Sequence, residues 1–546
     1  DALLAQLASG PTRAIDARLA SPALDRARPL GRADERTGER PHTPVSLSTL
    51  AALESRGDAR MLAEAQLVAG RAADAARTLA RTRDDDAHGD AAVDRAAIAL
   101  ALGDPDEALH AADAALARTP NRPAAAWNRA LALVALELPL AAANSFDIVA
   151  AAGERGWADE ARARAKALRD EHARRKAGFA AADAAGHALE IDGTPLPPAI
   201  VRDYGTISRR YFYDAVRAAP SVEHVRALRP LAVALDAQAD KPVLAAYVDA
   251  VARKNFARRA PLAKTYAAAL DHYPTGAAAE AWFATLARAG ADADDILLGA
   301  YYLCYRQMAH LDDYERLARA TNDPWFAVLA LQFEATAEDA RSDLAAVERD
   351  MQAALDLADA RGLAYRWLRV AFDWSQTLNT QARLKQAEVL ARKGLERARR
   401  DDFSFERAFV LNLVEWALQR GDDGLLAAYL DESVQLADQR CFAERHADEV
   451  RATLAHRELR FADARRFLAA VPKCEEPRLT LFGAALAADL QRIGQSPVDR
   501  ATLAATLDVL EHNPRANVTD KAYVQVFRAR SLAPFDHAAE TAELDR

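Results

Sequence analysis

Three cysteines in 546 residues are too few for a disulfide framework, and Cys304, Cys441 and Cys474 include no CxxC pair that would suggest a thiolate metal site. Glycine and proline, at 22 and 23, are sparse for this length, and long alternating β-branched runs are missing. A sheet-rich fold with many turns is therefore excluded. Aromatic residues make up only 7%. No stretch approaches the ~18 uninterrupted apolar residues of a membrane span, and no charged-then-apolar signal opens the chain. A cytoplasmic protein is expected on those grounds. Its first residue, Asp1, suggests a processed or trimmed piece.

Neither sign of charge dominates. Lysine and arginine total 71 against 80 acidic residues, a net charge of -9 with the signs interspersed, so no concentrated positive surface for nucleic acid is expected. The most basic run, Arg162 to Lys176, also holds Asp170 and Glu171 and reads as a solvated helix face. Catalytic patterns are equally scarce. The 12 histidines form no HExxH or HxH spacing, and there is no GxxxxGK[ST], GxGxxG or GxSxG element. Catalytic residues, metal ligands and cofactors are accordingly expected to be none, and Cys304 is expected to be a buried structural thiol.

What is present in quantity is alanine, arranged periodically. Gly70 and Gly103 lie 33 residues apart, as do Ala75 and Ala108, and Ala142 follows 34 further on. Each position has a physical role in a helix pair. Gly70 and Gly103 fall at the tight turn between the two helices, where positive φ is needed. Ala75, Ala108 and Ala142 fall where the helices approach most closely. Asp104-Pro105 supplies an N-cap and a first-turn proline, and Pro120 stops the second helix. The third copy keeps Trp127, Ala130, Leu133, Ala142 and Phe146 in register but carries Glu137 at the turn.

A second periodicity comes later, where Leu363, Phe403 and Phe442 align at steps of 40 and 39 residues. Ala387, Ala391 and Gly394 repeat the small-residue logic there. Between the two series, Tyr301, Tyr302, Tyr305 and Met308 form an aromatic stripe that reads as inter-repeat core. These features divide the chain into an N-terminal segment, partly loop (1–55), a regular block (56–185), a linker rich in Pro and Gly (186–206), irregular helical repeats (207–345) and longer-period repeats (346–546).

The spacing, turn glycine, alanine and closing proline together resemble the tetratricopeptide family over roughly residues 56 to 170. The fold this implies is all-α, a right-handed solenoid of helical hairpins in two blocks joined by a linker. The order of regular block, linker, RRYFYDAV helix and longer repeats such as GLAYRWLRVAFDWSQTLNTQARLKQAEVLARKGLERAR further resembles the region upstream of the protease in bacterial tetratricopeptide–CHAT proteins. That resemblance implies a sensor or regulatory arm whose caspase-like protease domain, absent from these residues, lies downstream or in an associated chain. Its partners would be proteins, among them a protease domain and its trigger or substrate. The alternative is a stand-alone adaptor that binds peptides or helices.

In a solenoid, first helices line the inner surface, so Gln66, Asn128 and Arg129 are the candidate binding residues, expected at exposed positions. Asn128 stands where peptide-clamping members of the family place an asparagine that bonds a partner's backbone. Its other reading is a hydrogen bond within its own repeat.

Overall fold

A computed structural model describes residues 16–21, 25, 45–82, 87–238, 242–304, 310–401, 405–437, 440–470, 486 and 507–508. Of these residues 82% are helical and none is in a strand, so the chain is an all-α protein of packed neighbouring helix pairs. Tyr305, Met308, Phe403, Cys474 and nearly all of 471–546 lie outside the described residues, as does the side chain of Phe442. Two compact units emerge, the first formed by 1–165 with 417–546 and the second by 166–416.

The first unit opens with α1 (Leu47–Ser55) and three helix pairs: α2 (Ala59–Val68) with α3 (Ala72–Leu79), α4 (Asp90–Leu102) with α5 (Pro105–Arg118), and α6 (Pro123–Ala135) with α7 (Pro139–Ala152). Each pair turns in the same way. Gly70, Gly103 and Glu137 all have left-handed φ, between 62° and 76°. In each case the following N–H reaches back five residues, from Arg71 to Gln66 O, Asp104 to Ala99 O and Leu138 to Leu133 O, at 2.8 to 3.0 Å. This closure satisfies carbonyls that the helix end would leave bare. Glu137 adopts the geometry despite its Cβ, so the third copy keeps the turn and carries its strain. Asp104 caps α5 by accepting from Glu107 N–H, and Pro105 occupies the first turn. Ala75, Ala108 and Ala142 are fully buried, as the close-approach register requires.

A long helix, α8 (Trp157–Asp192), follows, and the basic run lies along it with exposed pairs such as Arg162–Asp159. The unit boundary falls within this helix. The stretch read as a linker, 186–206, holds the end of α8, residues 193–197 and α9 (Pro198–Asp203).

In the second unit, α10 (Gly205–Ala218) buries Tyr211, Phe212 and Tyr213 together with Arg209, Asp214 and Arg217. Buried charge is paired here. Arg217 Nη1 donates to Asp214 at 3.1 Å, and Arg259 Nη1 and Nη2 both bond Asp295. Tyr301 is buried against Phe283, with ring centroids 4.8 Å apart, which places this part of the aromatic stripe in the core. Seven helices follow, α11 (Val222–Ala227), α12 (Arg229–Asp236), α13 (Leu244–Val251), α14 (Phe256–Asp271), α15 (Gly276–Ala289), α16 (Asp294–Leu303) and α17 (Leu311–Thr321), and then the longer pairs α18 (Pro324–Ala340) with α19 (Leu344–Ala360) and α20 (Ala364–Thr380) with α21 (Leu384–Asp401), which close by the same turn, at Ser342 and Ala382. Gly394 is there because a Cβ would stand 2.2 Å from the Phe409 ring.

The chain re-enters the first unit through the end of α22 (Glu406–Arg420), continuing as α23 (Asp423–Leu436), α24 (Arg440–Arg457) and α25 (Phe461–Ala470). Helix α23 packs on α5 and α7. His110 Nε2 lies 2.7 Å from Asp422, and the wholly buried Glu432 accepts the N–H of Ala141 at 2.8 Å.

Candidate functional site

Three consecutive first helices each carry one polar residue on the same face: Glu64 on α2, Asp94 on α4 and Asn128 on α6. All three are 0% exposed. Their neighbours are largely alanines, including Ala63, Ala65, Ala92, Ala97, Ala125 and Ala130, all buried. Methyl side chains leave room for a backbone to lie against the helices, and the polar row supplies what a backbone needs in a dry place.

That place is filled by the chain's own residues 16–21, which run from the third first helix back to the first. The side-chain amide of Asn128 grips Arg18 at both main-chain groups, accepting its N–H at 2.7 Å and donating to its carbonyl at 2.8 Å. Trp127 Nε1 donates to the carbonyl of Asp16 at 2.8 Å. Asp94 accepts the N–H of Ala20 at 2.8 Å, and Glu64 that of Ser21 at 3.1 Å. Every one of these bonds goes to main chain.

The side chains of the segment enter separate surroundings. Ala17 and Leu19 join a buried cluster with Ala63, Leu67, Ala97 and Ile98. Arg18 lies with its guanidinium 4.4 Å from the Trp157 ring and donates to Glu154 at 2.5 Å. Asp25, further along the same segment, also accepts from Arg18, and its second oxygen takes the Leu19 N–H. A depression of about 350 Å³ beside Arg18 is bounded by Arg122, Pro123, Glu154 and Trp157. Two residues earlier, Asp16 faces Arg164 at 3.0 Å, and Arg164 itself rests over Trp127 and bonds Glu160.

Glu64 and Asp94 are both fully buried, near enough for the charge of Asp94 to oppose ionisation of Glu64. Glu64 Oε2 is buried without a hydrogen-bond partner, which suits the neutral carboxyl better than the carboxylate. Burial first, and the charge of Asp94 second, push the Glu64 carboxyl up to about 10, against the opposing pull of Arg60 and the Ser21 N–H. Burial also raises Asp94. Arg60 bridges the pair, at 3.1 Å from Glu64 and 3.2 Å from Asp94.

Of the residues singled out from the sequence, Asn128 alone stands in this row. Its partner Arg18 is 110 residues away, so the amide serves more than its own repeat, although it also donates to Val93 O in the preceding one at 3.2 Å. Arg129, its neighbour, points elsewhere and bonds Asp113 and Ser145. Gln66 borders a different depression, beside Leu62 and Arg71. The expectation of exposed positions fails for Asn128, which is fully covered by residues 16–21 and the adjoining helices, and Arg129 is half-buried by its ion pair. Sequence reasoning missed Glu64, Asp94, Glu154 and the segment itself. The available signal was a lone polar residue amid alanines, recurring at Glu64, Asp94 and Asn128.

Cys304 is buried, its thiol pushed up to about 11 by burial and donating toward Pro274 O. Cys441 is disulfide-bonded. Among the described residues no group of three or more His, Cys, Asp or Glu could hold a metal ion, and no helix is long and apolar enough to cross a membrane. Compared with protein-family models and with curated proteins, the chain matches none.

Proposed function

We propose that this chain is a protein-interaction scaffold, a right-handed tetratricopeptide-type solenoid whose first unit holds extended peptide segments by their backbone. The observation that carries this reading is the Asn128 amide bonded to both main-chain groups of Arg18, in line with Asp94 and Glu64. Main-chain recognition by an inward row of polar side chains suits many sequences in one direction and supplies affinity without chemistry. In the setting implied by the order of its repeats, the scaffold is the sensor arm of a caspase-like protease system, and its partners are protein segments.

The test is amide hydrogen exchange on the intact protein and on Asn128→Ala. The substitution removes two bonds to Arg18, worth about 1–1.5 kcal/mol each, so protection at Arg18, Ala20 and Ser21 should fall by roughly 30- to 150-fold. Val93 O keeps its helical partner and adds no orphan. Unchanged exchange at Arg18 would defeat the reading.

A further inference from the structure

The grip on the main chain reads no sequence, so any preference must come from what surrounds the segment's side chains. Two sockets of opposite charge do so. Glu154 and the Trp157 ring, both belonging to the groove, receive Arg18, whose side chain is 6% exposed. Arg164, held by Glu160 and stacked 4.9 Å over Trp127, receives Asp16. Because the acid precedes the arginine by two residues, the pair also fixes direction. A chain laid in reverse would set its carboxylate on Glu154 and its guanidinium on Arg164, a like-charge cost at both ends. Between and beyond the sockets the floor is alanine-rich and dry. Ala17, 3% exposed, fits only as a small residue, and Leu19, 2% exposed, fills the space toward Leu67 and Ile98.

Resting on the reading that this groove holds extended segments, we propose that its partner in trans is an extended peptide of the order acidic, small, arginine, leucine-like, small, and that residues 16–21 are the chain's own competitor for it. Every groove contact described for Asp16 to Ser21 would be available to such a peptide once the resident segment leaves. Asp25, which closes over Arg18 from the segment itself, leaves with the resident segment and is no part of the groove. Covalent attachment gives the resident segment an effective concentration on the order of mM, so a free peptide binding at about 100 μM is weakened roughly tenfold by it.

The experiment uses the full chain and a fluorescein-labelled peptide with the sequence of residues 14–25. It is titrated onto the parent protein and onto the double variant Arg18→Glu, Leu19→Asp, whose own segment meets Glu154 with the wrong charge. The variant should bind at least ~10-fold more tightly than the parent. A peptide with glutamate in place of its arginine should bind the variant at least ~10-fold more weakly than the first peptide. Equal affinity for parent and variant would overturn the competition, and equal affinity of the two peptides would overturn the sockets. Hydrogen exchange on the variant supplies the control: residues 18–21 still protected would show that the sockets do not hold the segment, which also overturns the proposal. With the Asn128→Ala result intact, absence of binding in trans defeats this proposal alone; unchanged exchange in Asn128→Ala defeats the backbone reading beneath it.

Discussion

Replacing Glu64 by glutamine should flatten the pH dependence of stability in a calculable way. In the folded protein Glu64 keeps its proton up to about pH 10, held there by burial and by Asp94, whereas in the unfolded chain it titrates near 4.5. Between those values the folded state binds one more proton than the unfolded state. Stability from this group is therefore complete below about pH 4.5 and is lost as the pH rises, at roughly 1.4 kcal/mol per pH unit. From pH 6 to pH 9 the loss approaches ~4 kcal/mol, the limit for full cooperative unfolding. Glutamine takes over both tasks without titrating. Its carbonyl accepts from Ser21 N–H and Arg60, and its amide adds no charge beside Asp94. Other raised acids, such as Glu190 near 9 and Glu449 near 7, slope the curve in the same direction. The difference between parent and Glu64→Gln isolates the pair. Denaturant unfolding of both proteins at pH 6, 7.5 and 9 measures it, with the gap between them moving in favour of the variant as pH rises. Parallel curves would refute a protonated Glu64 in the folded state.

Glu137→Gly should raise stability by about 0.5–1 kcal/mol, because it removes a Cβ from a left-handed turn whose two sister positions are already glycine; an unchanged or lower unfolding free energy would show that the Glu137 side chain contributes more than its backbone costs. Ala108→Leu should lower stability by roughly 1–3 kcal/mol by overpacking the closest approach of α5 to its neighbours, a loss visible as a lower melting temperature.

Much of the helical architecture was legible because its causes are local. Gly103, Asp104, Pro105 and Ala108 each act within a few residues, and their recurrence marks the hairpins directly. Asn128 was legible as a polar residue on a first helix, but its burial was not, since what covers it is a short extended piece with no periodicity of its own. Glu64 and Asp94 stood unremarked in the sequence for a related reason. Only the proximity of Arg60, Ser21 and Ala20 shows that they work as a pair, and those contacts join residues 4 to 74 positions apart. The Arg18 environment combines Glu154 and Trp157 from beyond the third hairpin with Asp25 from before the first, a combination set by packing. The return of α23 to α5 and α7 was equally invisible, because no repeat period encodes contacts across almost three hundred residues.

That return has a consequence during synthesis. Glu432 leaves the ribosome 291 residues after Ala141, which at ~5–20 residues per second is a delay of about 15–60 s. Throughout that interval the faces of α5 and α7 that pack on α23 are without it. A codon-level slowing before Asp422 would lengthen that interval without altering a single amino acid.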